Sequence, residues 1–275
     1  MKEERKKISI LGIGWLGFPL AKKLIETGYD VKGSTTSESK LDLLRRNDIQ
    51  PFQIELSETE IKGNIAGFLE NSEVLIIDIP PKLRSNPSEN FVKKIKLLIT
   101  KIEKSTVKKV LFISSTSVYA DVFPIVEIDE NTMPNPDSES GKQLLQTEGL
   151  LLSNSNFQTT ILRFGGLIGE DRHPIKFLAG KKDIENPDAT INLIHQEDCI
   201  GIICEILNHV QHNNLILNAV SPYHPTRKEY YSQKANENDL PLPEFDESKK
   251  SLGKIINSKK VLEFLNYKFK REDLF

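Results

Sequence analysis

The 275-residue chain is short of several things, and each shortage removes a class of protein. Its only cysteines are Cys199 and Cys204. Two thiols build no disulfide framework, so a reducing, cytoplasmic setting is expected. No apolar run approaches the roughly 18–20 residues of a membrane-crossing helix. The opening MKEERKK leads into ISILGI with no apolar stretch of about 7–15 residues, so no secretory leader is expected. Neither sign of charge dominates: 37 Lys+Arg face 39 Asp+Glu, a net −2. Bulk electrostatics therefore gives no reason to expect nucleic acid or an anionic membrane as partner. Metal-ligand spacing is also missing. His195 and Cys199 are four apart, but Cys204 falls about 140° away at helical period, so no metal is expected. Internal repeats and low-complexity segments are absent.

What remains is alternation. Apolar, β-branched runs at 7–13, 29–34, 51–56, 74–80, 108–115 and 157–165 read as strands. Stretches with apolar spacing of three and four, at 15–28, 37–47, 58–71, 88–104 and 139–153, read as helices. The second half is less regular, with strands at 191–195 and 215–220 and helices at 196–210 and 225–238. A short strand followed by a helix occupies 254–265. Strands separated by helices imply βαβ units and a parallel sheet. The fold class expected is α/β, a doubly wound parallel sheet of the Rossmann kind with a smaller interleaved C-terminal lobe. Residues 1–170 form the nucleotide-binding domain, to which roughly 196–222 return. Residues 171–195 and 223–275 form the lobe. Ligands of such sheets sit at the carboxyl ends of the strands.

Gly12-Ile13-Gly14-Trp15-Leu16-Gly17 follows the first strand and opens a helix, the context that gives a G-x-G-x-x-G its meaning. The first glycine permits a tight turn, the second lets a pyrophosphate approach the backbone, and the third lets helix and strand pack closely. The helix N-terminus then faces the phosphates. At the end of the second strand an acid that would bond a ribose 2′-hydroxyl is missing. Ser34, Thr35, Thr36 and Ser37 stand there instead, with Lys40 a turn later. Hydroxyls and a cation suit a 2′-phosphate, so NADP is favoured over NAD. The strand-end rule adds Ile79, Pro80, Ser114, Phe164, Gly165 and Gly166 to the cofactor candidates.

The glycine loop, SSTSVY (114–119), LRFGGLIG (162–169), INLIHQEDC (191–199) and their order resemble the extended short-chain dehydrogenase/reductases, the NAD-dependent epimerase/dehydratase family. Within it the chain looks most like an atypical subgroup with weakened active-site motifs. The resemblance covers nearly the whole length. It implies an NADP(H)-binding oxidoreductase or an epimerase/dehydratase-like enzyme. The expected substrate is small and polar, nucleotide- or sugar-like. It also implies that Ser115, four residues before Tyr119, bonds the substrate oxygen.

One part of the family pattern is missing. Its Tyr-x-x-x-Lys should fall in 134–148. One alignment supplies Lys142 with Ser138 four residues earlier, and an alignment anchored on Glu148 supplies Ser140 and Leu144. Neither contains a tyrosine, and a serine hydroxyl is too weak an acid to replace one without its own base. Lys142 remains a candidate for the nicotinamide ribose. Asp78, near the end of a very apolar strand, should have a raised pKa and is an acid/base candidate. Tyr119, Arg172 and His173 are candidate substrate contacts. His195 and Asp198 read as structural, the acid favoured by its helix dipole. The alternative to an enzyme is a catalytically inactive NADP(H)-binding sensor or scaffold.

Overall fold

The glycine loop begins where β1 (Lys7–Leu11) ends and α1 (Gly17–Glu26) starts. This is seen in a computed structural model that describes residues 5–83, 86–209, 214–272 and 274. The first strands and helices continue as β2 (Asp30–Thr35), α2 (Leu41–Arg45), β3 (Gln50–Gln53), β4 (Glu55–Leu56), β5 (Ile61–Lys62) and α3 (Ile65–Leu69). Then come β6 (Val74–Ile77), α4 (Phe91–Ile102), β7 (Lys109–Ser115), β8 (Val126–Ile128), α5 (Glu139–Leu152), β9 (Gln158–Phe164) and β10 (Gly166–Ile168). The remainder is α6 (Ile175–Leu178), β11 (Leu193–His195), α7 (Gln196–Asn208), β12 (Leu215–Ala219), α8 (Arg227–Glu237), β13 (Lys254–Ile256) and α9 (Lys259–Phe264).

A seven-stranded sheet has the order β12-β9-β7-β6-β1-β2-β3. The pairs β1/β2, β2/β3, β1/β6 and β6/β7 all run parallel. The chain leaves β1 toward β2 and β3, then returns to the other side of β1 to lay down β6 and β7. That reversal at β1 opens a crevice beyond the carboxyl ends of β1 and β6, the usual ligand position in this architecture. The central strands show why they sit there. Leu75, Ile76 and Ile77 of β6 are all fully buried, as a strand covered on both faces requires. The α4 helix buries Phe91, Ile95, Leu98 and Ile102 at helical spacing, and Asn90 caps it by accepting from Lys93 N–H.

Two helical expectations change. Residues 58–71 are not one helix: β4 and β5 pair antiparallel, and only Ile65–Leu69 is helical. Gly63 breaks the run, with a φ of +97° and the position of an added Cβ only 2.0 Å from the Gln53 carbonyl oxygen. Residues 37–47 split into a 3₁₀ turn at Glu38–Lys40 and the short α2. Ser37 does not cap it; its hydroxyl pairs with that of Ser39 at 2.8 Å.

The chain divides into two compact units. Unit 1 comprises residues 1–115, 138–162 and 207–216, and unit 2 comprises 116–137, 163–206 and 217–275. The core of unit 2 gathers Ile168, Ile175, Ile191, Leu193, Tyr230 and Tyr231. Its C-terminal segment is tied down by Asp198 in the first turn of α7. That buried carboxylate accepts the Tyr267 hydroxyl at 2.8 Å, Lys270 N–H at 2.7 Å and Arg271 N–H at 3.1 Å. Among the described residues no helix is long and apolar enough to cross a membrane.

Candidate cofactor site

The loop between β1 and α1 has its shape because side chains are excluded from it. Gly12 has a φ of +109°, and an added Cβ would lie 2.2 Å from the Asp78 carbonyl oxygen. A Cβ on Gly17 would lie 2.2 Å from the Gly12 carbonyl oxygen. Only glycine fits either place. Gly14 is different: nothing lies within 4 Å of its Cβ position, so its surface faces open space. The loop is held to β2 by Gly12 N–H donating to Ser34 Oγ at 3.0 Å and Ile13 N–H donating to Ser34 O at 2.8 Å.

In front of this loop unit 1 has a cleft of about 450 Å³. Of the sequence-derived candidates, Gly12, Gly14, Ser34, Thr35, Thr36, Lys40, Asp78, Ile79 and Pro80 line it. Sequence reasoning missed Ile54, Glu55 and Leu56 on the far wall, and Lys82, Glu89, Phe91 and Lys94 toward α4. Lys94 and Glu89 are paired with each other. The Lys40 ammonium has no ion-pair partner among the described residues.

The hydroxyl run at the end of β2 is partly used by the fold. Ser34 accepts from the loop, and Thr35 Oγ1 accepts from Ser37 N–H at 3.1 Å. Ser37 pairs with Ser39. Four hydroxyls therefore reduce to Thr36, exposed on the rim, beside Lys40.

Asp78 follows β6 directly and reaches under the loop. Its carboxyl accepts Gly17 N–H at the start of α1. Burial disfavours the charged form and pushes its pKa up to about 7; the Gly17 hydrogen bond opposes that shift without cancelling it.

The remaining candidates lie elsewhere. Leu16 is buried behind the loop, and neither it, Trp15 nor Gly17 lines the cleft. Ser114 is buried, and its hydroxyl donates to Glu148 Oε1 of α5 at 2.6 Å. Ser115 ends β7, half-buried. Lys142 is exposed on α5. Ser138 caps that helix by accepting from Gly141 N–H at 3.1 Å. Ser115 and Lys142 do not line the cleft that holds Asp78. Phe164, Gly165 and Gly166 belong to unit 2, at the junction of β9 and β10.

Unit 2 also holds the candidate substrate contacts, and two of them are built into its interior. Tyr119 is 1% exposed. Its hydroxyl accepts from Arg163 and donates to the Asp129 carbonyl at 3.2 Å. Burial raises its pKa, opposed by the Arg163 charge. His173 Nδ1 accepts Ile175 N–H at 3.1 Å, which leaves the proton on Nε2, 2.8 Å from the Tyr230 hydroxyl. Burial and nearby Lys234 and Lys176 push its pKa down to about 4. At neutral pH His173 is thus an uncharged structural donor and offers no positive charge to an anion. Arg172 is exposed. His195 Nδ1 accepts Glu197 N–H at the start of α7.

No protein-family model matches the chain. Protein YeeZ of Escherichia coli strain K12 is 33% identical over 271 residues, covering 98% of this chain and 97% of the relative. Among solved structures, UDP-glucuronic acid 4-epimerase from Bacillus cereus in complex with NAD superposes with a TM-score of 0.77 at 18% identity. That match covers 96% of this chain and 91% of the epimerase. UDP-glucose 4-epimerase from Thermotoga maritima with UDP-glucose gives 0.76 at 18% identity, over 96% and 94% of the two chains. The chain belongs to the family of Protein YeeZ, and its fold is that of the NAD-dependent epimerase/dehydratases.

Proposed function

We propose that unit 1 binds NADP(H) and that the protein is an oxidoreductase or epimerase of the short-chain dehydrogenase/reductase type acting on a nucleotide-sugar-like substrate. The observation that carries this reading is the cleft in front of the glycine loop. Gly14 offers an open backbone surface and α1 points its N-terminus there. Thr36 and Lys40 offer a hydroxyl and a cation where a ribose 2′-phosphate would lie. The NAD alternative rests on Glu55, a carboxylate lining the same cleft. The substrate class follows from the relatives' names, since both epimerases act on UDP-sugars.

When bound, the nicotinamide supplies reversible hydride transfer. The chain's part is to hold the dinucleotide and to manage a proton. Ser115, at the end of β7, is the hydroxyl that would orient the substrate oxygen. Asp78 holds its proton near neutral pH, but it does so at Gly17 beneath the loop. Its role in this reading is therefore to tune cofactor binding rather than to take the substrate's proton. Lys142, exposed on α5, would reach the nicotinamide ribose.

A second reading, a binding protein without catalysis, is favoured by one observation. Residues 134–148 supply no tyrosine, and Tyr119 has its hydroxyl engaged by Arg163 and Asp129. Titration with NADPH and NADH, followed by a UDP-sugar panel read both by absorbance at the reduced nicotinamide band and by product analysis for epimerised sugar, which leaves that band unchanged, separates the cases. Tighter NADPH binding with turnover supports the enzyme. NADPH binding without turnover of any panel member establishes the binding protein. Equal or tighter NADH binding overturns the cofactor assignment.

A further inference from the structure

Unit 2 contains its own cavity, about 370 Å³, lying among α6, the residues that lead into β11, and the first turns of α8. Its wall is mostly apolar and includes Leu178, Ile191 and Phe177. Phe177 is 74% exposed, an unusual position for a large aromatic ring. No acidic residue lines the cavity.

The polar groups of that wall fall into two sets. Thr190 and Asn192 are spoken for: the Thr190 hydroxyl donates to the Lys254 carbonyl at 2.6 Å, and the Asn192 amide bonds Lys254 O and Ile256 N–H. Arg227 and Tyr231, one helical turn apart on α8, are not. Arg227 Nε is buried with no hydrogen-bond partner, and its guanidinium makes no hydrogen bond or ion pair among the described residues. Tyr231 is 7% exposed, and its hydroxyl, which bonds no described residue, is not among the buried unpartnered atoms. The two groups feel each other's field, and burial keeps the tyrosine protonated as a donor. Several cations of unit 2 do have acids beside them, as Lys228 has Glu247 and Lys182 has Glu244.

The helix start does not explain this pair. Its own amides are satisfied, Arg227 N–H by the Ala189 carbonyl, Lys228 N–H by Pro187, and Glu229 N–H by the Thr226 capping box. What is left over is a buried Arg227 Nε with no partner, and beside it the outer guanidinium nitrogens and the Tyr231 phenol, donors that open onto the cavity. The orphaned Nε is the costly one, and an oxyanion with two acceptor oxygens would bond the guanidinium and the phenol together.

We infer that this cavity binds the oxyanion of a small ligand with a planar apolar body, Arg227 and Tyr231 gripping the oxyanion and Phe177 covering the body. The ligand group is a carboxylate or a phosphate. The inference is independent of dinucleotide binding in unit 1, and it replaces His173 by Arg227 as the anion-recognition residue of this unit.

The test is calorimetric titration of the full chain with benzoate and with phenyl phosphate, using benzyl alcohol as the uncharged control. Saturable binding of at least one anion is expected, and the tighter of the two identifies the oxyanion. Arg227→Gln should weaken it by about tenfold or more, and Tyr231→Phe by a few-fold, in line with the loss of charged and neutral hydrogen bonds. Phe177→Ala should weaken binding while leaving the preference of anion over alcohol. NADPH titration of each variant reports separately on unit 1, so a failed cofactor reading leaves this result readable. If Arg227→Gln does not fold, Arg227→Lys keeps the charge but loses the fork, and is expected to bind more weakly than the parent. Absence of saturation by either anion overturns the inference. So does undiminished binding by the arginine variants, or benzyl alcohol binding as tightly as the anions.

Discussion

The carboxyl of Asp78 accepts the backbone N–H of Gly17, so an acid from the end of β6 occupies the first turn of α1. Its pKa, about 7, lies above the ordinary 3.8. Between those values the folded chain keeps a proton that the unfolded chain has shed. Stability should therefore fall as pH rises across that window and level off above it. At about 1.4 kcal/mol per pH unit, roughly 4 kcal/mol is the ceiling of the effect. Asp78→Asn should flatten the profile and raise stability at about pH 8 by one to a few kcal/mol. Urea midpoints across pH measure this, and a parent profile that rises from about pH 4 to 7 and owes the rise to Asp78 would sink the idea. If the dinucleotide phosphates lie at this loop, NADPH should also bind more tightly below pH 7 than above it, and Asp78→Asn should remove the difference.

The glycines of the loop should separate into two kinds. Gly12→Ala places a methyl against the Asp78 backbone in a left-handed conformation and should cost about 2–4 kcal/mol of stability. Gly14→Ala meets nothing, so its melting temperature should stay near the parent value while NADPH affinity drops. Thermal unfolding paired with NADPH titration distinguishes them, and equal destabilisation by both would contradict the loop's geometry.

Lys40→Ala tests cofactor choice. NADPH affinity should fall by about tenfold while NADH affinity is unchanged, the pattern of a lost phosphate contact. Glu55→Gln should do the reverse if Glu55 rather than Thr36 and Lys40 meets the ribose.

Asp198→Asn should cost about 2–4 kcal/mol, because one buried carboxylate satisfies three donors. Tyr267→Phe removes only one of the three and should cost about 1 kcal/mol. The expected readout is earlier protease cutting near residue 270 in Asp198→Asn, with NADPH affinity retained.

Much of this was legible in the amino-acid order because the signals are local. β6 is apolar throughout, so both its burial and the raised pKa of the acid that follows it could be read from residues 74–78. The glycine loop declares itself through its position after β1. What could not be read depends on partners far away in the chain. Ser114 looked like a rim residue until Glu148 was found accepting its hydroxyl. His173 looked like a cation, and the packing of Tyr230, Lys234 and Lys176 makes it neutral. Ser34 and Thr35 looked like ligands for a phosphate, yet their oxygens hold the backbone of the loop and of the turn after β2. Arg227 carries no signal in the sequence, since nothing in its neighbours along the chain says that the cavity it lines lacks an acid.

The two units alternate along the chain, which passes from one to the other after residues 115, 137, 162, 206 and 216. A cut after residue 115 keeps all of unit 2 in one fragment and a cut after 216 keeps all of unit 1, but any cut between them divides both. In a truncation library only C-terminal fragments beginning at or before residue 116 or N-terminal fragments ending at or after residue 216 should fold, and a nick between those points should leave two pieces that stay folded only together. Completion of either core must await synthesis of residues beyond 206. Nascent chains shorter than that carry exposed apolar strands, which makes emergence from the ribosome the most aggregation-prone moment for this protein.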